Sequence, residues 1–316
     1  MAIPLLALPF VVLAACQSIA PGPATSTEQQ NTARAGQIWD ARTERLITPD
    51  ELLQKAFEAR FVLLGEIHDN LEHHRLQNDV LKALLAKGAR PTLAMEQLDS
   101  EQQAAIDQAA AAPGATGETI ADAGRFDRKA WGWIGYGPLI STAVQAGLPI
   151  AALNLSRGEA RQVASGGFNT LGAGRAGKLA LEATWNAERD ASLRREIADA
   201  HCGQLPDSVL PGMVMAQRAR DAVMADVLLG QTTSSVVAIL GRGHARNDVG
   251  VPRYLAERAP AAKVVSIGLV EVDPRRYNAL DYLTTNTEGR HFDYVWFTPR
   301  AERDDPCAGF KLPAPR

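Results

Sequence analysis

Short apolar runs recur along this chain, and most are followed by a segment with helical spacing. Residues 61–65 (FVLLG), 91–96 (PTLAME), 148–153 (LPIAAL), 236–240 (VVAIL) and 263–269 (KVVSIGL) are nearly continuous in apolar character, the mark of strands buried on both faces. A sixth run, 292–297 (FDYVWF), alternates and reads as an edge strand. Helices are predicted between them. Residues 49–57 pair Leu53 with Phe57, and the segment after Asn70 repeats Leu76, Val80 and Leu84 at four-residue spacing before Gly88 closes it. Residues 138–146 and 251–258 read as further helices, the latter with Pro252 in its first turn. Strand–helix–strand alternation predicts an α/β fold: a mostly parallel sheet with helices on both faces.

Two stretches interrupt that rhythm. Residues 100–128 are rich in Ala and Gln with a Pro-Gly break. Residues 176–230 are charged, rich in Ala and Met, and lack strand signals; Leu181/Trp185 and Leu193/Ile197 fall four apart. The second stretch reads as a smaller helical insertion packed over one end of the sheet, an arrangement in which pockets form. The expected domain is 36–300, followed by a tail over 301–316.

The N-terminus changes the picture. Residues 3–15 are apolar and end Leu13-Ala14-Ala15-Cys16, a run too short to span a bilayer but of signal-peptide length. It looks like a lipobox, with 1–15 removed, Cys16 lipidated, and 16–35, rich in Ser, Thr, Pro, Gly and Gln, acting as a tether. No Lys or Arg precedes the run, and a buried strand or helix is the alternative. Gln17, rather than Asp, follows the cysteine, which favours the outer membrane. Cys202 and Cys307 then remain, as a disulfide in an oxidising compartment or as two free thiols; neither lies in a C-x-x-C spacing. Hydrophobic residues make up 46%, enough for a large core, and 33 basic residues against 36 acidic ones form no basic stripe, so nucleic acid is not an expected partner.

Two four-residue signatures carry the chemistry: Gly65-Glu66-Ile67-His68 and Gly241-Arg242-Gly243-His244. Each follows a predicted strand, as does Glu96, and parallel strands bring such ends to one edge. Glu66, His68, Glu96 and His244 thus form a candidate set for a divalent metal or for metal-free acid–base work; a merely hydrogen-bonded polar edge is the plainer reading. His73 and His74 fall in the first turn of the Asn70-capped helix, whose positive end disfavours their protonation. They diverge by about 100°. The segment 131–138 (WGWIGYGP) reads as an aromatic loop, with Tyr136 offering a phenolate to ferric iron or with the whole loop serving as a hydrophobic lid. Met213, Met215 and Met224 read as core or as padding of an apolar slot. His201 and His291 receive no role.

These motifs, in order, resemble the ChaN-like haem-binding lipoproteins: Gly65-Glu66-Ile67-His68-Asp69-Asn70 with His73, His74 and Gln77; Met95-Glu96; Trp133 with Tyr136-Gly137-Pro138-Leu139; Met215-Ala216-Gln217 with Arg220-Asp221-Ala222 and Met224-Ala225; Gly241-Arg242-Gly243-His244; and Gly250-Val251-Pro252. Arg242 stands where Asn is usual. The resemblance implies an outer-membrane lipoprotein of iron uptake, with an outer-membrane haem or iron receptor as partner and haem held between the subunits of a homodimer. It implies a tyrosine ligand, placed on Tyr136, and a histidine holding propionates, for which His68, His73 and His244 compete; Arg242 or Arg246 supplies a cation. The pattern also resembles the wider superfamily of erythromycin esterases and membrane-tethered metalloproteases, in which Glu66, His68, Glu96 and His244 would form a hydrolytic site.

Overall fold

The computed structural model describes residues 32–183, 185–283, 290–305 and 307–308. The signal segment, Cys16, the tether up to residue 31 and the tail from 309 lie outside the described residues.

One eight-stranded sheet organises the chain, in the order β2-β1-β8-β7-β3-β6-β4-β5. Its strands are β1 (Ile38–Asp40), β2 (Arg45–Ile47), β3 (Phe61–Glu66), β4 (Thr92–Asp99), β5 (Ile150–Asn154), β6 (Val236–Gly241), β7 (Val264–Glu271) and β8 (Tyr294–Thr298). The pairs from β8 to β5 are parallel; β1 runs antiparallel to both β2 and β8. The β1–β2 hairpin was not expected, and it moves β8 inward, so the 292–297 run is not an edge strand. In β3, Phe61 and Leu63 enter one core, and Val62 and Leu64 the other. The continuous apolar run therefore reflects burial on both sides.

Eleven α-helices flank the sheet among the described residues. Helix α1 (Pro49–Glu58) begins with a capping box between Thr48 and Glu51 and buries Leu52 and Ala56. Its buried stripe is one residue out of phase with the expected Leu53/Phe57 pair; Phe57 is exposed. Helix α2 (Leu71–Ala86) is capped by the Asn70 side chain and buries Leu76, Val80 and Leu84, as the spacing predicts. Helices α3 (Gln103–Ala111) and α4 (Gly117–Ala123) follow β4.

Residues 131–138 are not a loop. A π-helical turn (Arg128–Gly132) leads into α5 (Trp133–Gln145), which contains Pro138. Gly135 allows this helix to approach α2: a Cβ there would stand 1.9 Å from His74 Nδ1. The glycine supplies close packing rather than flexibility.

After β5 come α6 (Arg157–Gly166), α7 (Ala173–Lys178), α8 (Ala187–Ala200) and α9 (Leu210–Leu229), then α10 (Val251–Arg258) and α11 (Ala279–Tyr282). Helix α9 lies against α6, α8, α10 and β5, and its Ala219, Ala222, Val223, Met224 and Leu228 belong to one of the two main cores. Leu193 and Ile197 of α8 form a small separate cluster with Val214 and Val249, against which Trp185 and Met213 pack. Cys202 and Cys307 are joined by a disulfide, with Cα atoms 5.5 Å apart.

Candidate functional site

Strands β3, β6 and β4 are adjacent, and β3 and β6 end in register, with Glu66 opposite Gly241. Glu96 lies on β4, next to β6. This brings Glu66, His68, Glu96 and His244 to one edge. Gly241 marks their point of closest approach: a Cβ there would lie 2.8 Å from His68 Nε2 and 3.5 Å from Glu96 Oε2. Only a residue without a side chain leaves room for the His68 ring.

Glu66 is fully buried and accepts from His68 Nδ1 (2.9 Å), Gln77 Nε2 (2.7 Å), Gln97 Nε2 (3.1 Å) and the Tyr136 hydroxyl. His74 Nε2 stands 3.4 Å away. A carboxylate so occupied has no free lone pair to act as a base. It fixes the His68 tautomer instead, with Nε2 on the side facing Gly241. Burial works against protonation of His68, but the hydrogen bond to Glu66 and the Glu96 charge outweigh it and raise its pKa.

His244 repeats the device. Its Nδ1 contacts Asp221 Oδ1 at 2.6 Å, and its Nε2 stands 3.4 Å from Glu96 Oε1. Burial opposes the imidazolium, yet Glu96 and Asp221 hold its pKa up at about 10. Burial alone would raise the Glu96 carboxyl; His244, His68 and the Gly241 N–H (2.6 Å) hold it at about 2. Burial pushes Asp221 up to about 6 against the pull of His244. Gln217 lies 3.1 Å from His244 Nδ1. The site is thus two carboxylate–imidazole dyads, Glu66–His68 and Asp221–His244, flanking Glu96. The sequence reading assigned no role to Asp221, Gln217 or Gln97; the only available signal for the first two was their place in the ordered motifs of α9.

Several expected ligands are committed elsewhere. His73 is completely buried; its Nδ1 accepts from the Ile67 N–H (2.9 Å), and its Nε2 meets Thr298 Oγ1 at 2.8 Å. Burial, rather than the helix end, holds its pKa down at about 3. No ring nitrogen is left to hold a propionate. Tyr136 is likewise wholly buried. Its hydroxyl donates to Glu66, and burial together with that carboxylate raises its pKa far above the ordinary phenol range. It is not a phenolate ligand for haem iron; it buttresses Glu66 and packs on His74 with ring centroids 4.2 Å apart. Arg246 is buried and paired with Asp248 and Glu196, so it is not a free cation. Arg242 is exposed, and its guanidinium has no hydrogen bond or ion pair among the described residues. Met224 is core, and Met213 and Met215 are packed and half-buried. Among the described residues no group of three or more His, Cys, Asp or Glu side chains is arranged to hold a metal ion, so the divalent-metal alternative finds no support.

Beside Glu96 and His244 opens a cavity of about 520 Å³, lined also by Gln97, Trp131, Gln217 and Arg220. Its wall is mostly polar, unlike the apolar slot a porphyrin face needs. Exposed apolar surface lies elsewhere on the same edge. Leu71 (54% exposed) begins α2, one turn before His74. Ile134 (78%) precedes Gly135, which packs on His74, and Tyr277 (71%) follows the end of β7. Trp131 stands edge-on to His68, with ring centroids 4.8 Å apart.

The fold and this edge define an α/β protein with a strand-end site, and comparison with known proteins identifies the class. The family model described as haem-binding uptake, Tiki superfamily, ChaN matches residues 52–255. The chain belongs to this ChaN-type haem-binding uptake family. It is similar in structure to ChaN of Campylobacter jejuni, solved with cofacially bound haem, at a TM-score of 0.65 and 23% identity over 82% of this chain and 95% of that one. More distant are an erythromycin esterase, EreC, in its open conformation (TM-score 0.46, 13% identity, covering 86% of this chain and 99% of that one) and the RRSP effector domain of a Vibrio vulnificus toxin (0.41, 17%, 73% and 37%). No curated protein matches.

Proposed function

We propose that this protein is a haem-binding lipoprotein of iron uptake that takes haem on the exposed carboxyl edge of its sheet rather than in the polar cavity. The carrying observation is that Leu71, Ile134 and Tyr277, the three most exposed large apolar side chains among the described residues, all sit on segments of that edge: Leu71 opens α2 after β3, Ile134 lies beside the Gly135 that packs on His74, and Tyr277 follows β7. A porphyrin face buries well against such surface, and a second copy offering the same surface would cover the other face. Arg242 supplies a cation for a propionate; Arg276, next to Tyr277, lies within its electrostatic reach. Tyr277 replaces Tyr136 as the candidate oxygen ligand, since tyrosinate is a known haem-iron ligand and its ring is the most exposed of the five tyrosines. The lipobox-like Leu13-Ala14-Ala15-Cys16 supports anchoring through Cys16 to the outer membrane, near a haem or iron receptor.

Titrating purified protein with ferric haem tests this. The expected result is a shifted, saturable Soret band, weakened about tenfold or more in Ile134→Glu, with charge-transfer features altered in Tyr277→Phe. Non-saturating partition of haem would sink the reading.

The paired dyads favour a second reading, acid–base hydrolysis in the polar cavity. His68, oriented by Glu66 and packed edge-on to the cavity-lining Trp131, would take a proton from water as its oxygen adds to the carbonyl and return that proton to the leaving group, with the His244 imidazolium facing the developing negative charge. Ester or peptide turnover lost in both His68→Ala and His244→Ala would support it; no turnover would remove it.

A further inference from the structure

The cavity beside Glu96 and His244 carries charges that neither the porphyrin surface nor the dyads use. Arg125 and Arg157 line it as exposed cations, and Asp99 and Glu101 line it as carboxylates. None of the four is held in a hydrogen bond or close ion pair among the described residues. Asp99 is raised by burial, with Arg220 and Arg157 pulling it back.

Arg125 occupies a position that resists it. It follows α4 with φ of 50°. Its N–H bonds to Asp122 O at 3.1 Å, and the N–H of Phe126 bonds to Ala121 O at 2.8 Å. That is the pattern closing a helix through a left-handed residue, where glycine is the usual occupant. A long charged side chain in this place adds backbone strain and gains no partner among the described residues. Strain kept beside a cavity points to a use outside the fold.

The balance of charge selects the ligand class. Besides Arg220, which is bonded to Asn154 and the Leu155 carbonyl, and Asp127, which accepts from the N–H groups of Lys129 and Ala130, two unpartnered cations and two unpartnered carboxylates face one space, while Glu96 and His244 neutralise each other on its wall. A simple anion would gain from the arginines and lose to Asp99 and Glu101; a simple cation would meet the reverse. A molecule carrying both charges satisfies both pairs. We propose that this cavity binds a small zwitterion, an amino acid or short peptide, with Arg125 and Arg157 taking its carboxylate and Asp99 and Glu101 its ammonium group. This goes beyond the haem reading, and either can fail without the other.

Calorimetric titration of the full protein with free amino acids and Ala-Xaa-Ala tripeptides tests the proposal. Each tripeptide is also offered N-acetylated and C-amidated, with inorganic phosphate as a further probe. Saturable binding of an unblocked ligand is expected, weakened about tenfold or more by blocking either end. Arg157→Ala and Arg125→Gly should each weaken binding of the free carboxylate about tenfold and leave the amidated form's affinity unchanged. Arg125→Gly should also raise the melting temperature by a few degrees, about what a relieved left-handed residue gives. Equal binding of blocked and unblocked forms, phosphate binding as well as any peptide, or no saturable binding across the panel would overturn the proposal.

Discussion

His68 and His244 come from matching four-residue signatures and share a construction, a carboxylate on Nδ1 with Nε2 turned toward Glu96. Their surroundings differ. His244 is enclosed between Asp221 and Glu96, whereas the His68 side chain is 41% exposed and leans on Trp131. The same motif therefore yields two kinds of imidazole. One is a permanent cation at neutral pH; the other stays open to solvent and to proton exchange. Burial with two counter-charges, not the local sequence, sets the difference.

The largest expected effect separates the two by deletion. His244→Ala leaves Asp221 and Glu96 buried without a cation and should cost about 3–5 kcal/mol in urea unfolding. His68→Ala, with a half-exposed ring, should cost about 1 kcal/mol. Equal losses would break the comparison.

A pH series sharpens it. The folded pKa of His244, about 10, lies above its ordinary value near 6.5. Its contribution is therefore complete below pH 6.5 and lost as pH rises toward 10, a fall of a few kcal/mol at about 1.4 kcal/mol per unit. Asp221→Asn should reduce that contribution and start its loss at lower pH, visible in melting temperature against pH and in the imidazole NMR titration. The smallest effect is expected from Tyr136→Phe. It removes one of four donors to Glu66, costs about 1 kcal/mol, and should leave any Soret spectrum unchanged.

Much of this was legible beforehand. Five strands announced themselves because burial on both faces demands unbroken apolar runs, and Asn70 and Gly88 marked the ends of α2 by cap chemistry. The three-residue strands β1 and β2 are too short to show a period, so the inward position of β8 could not be read. The glycines of 131–138 suggested a loop because sequence shows flexibility but not neighbours; in the fold Gly135 makes room for His74. Tyr136 looked available for the same reason. Glu66, His68, Glu96 and His244 were visible as strand-end residues, but Asp221 comes from mid-helix, where nothing local sets it apart from a solvated acid.

The bond between Cys202 and Cys307 closes a covalent ring through α9, β6, α10, β7, α11 and β8. Asp221, Gln217 and His244 ride on this ring; Glu66, His68 and Glu96 do not. While the bond persists, a protease that nicks the backbone once between the two cysteines cannot release a fragment. After a cut between Cys202 and Gln217 the bond is the covalent link that still joins Asp221, Gln217 and His244 to the piece carrying Glu66, His68 and Glu96.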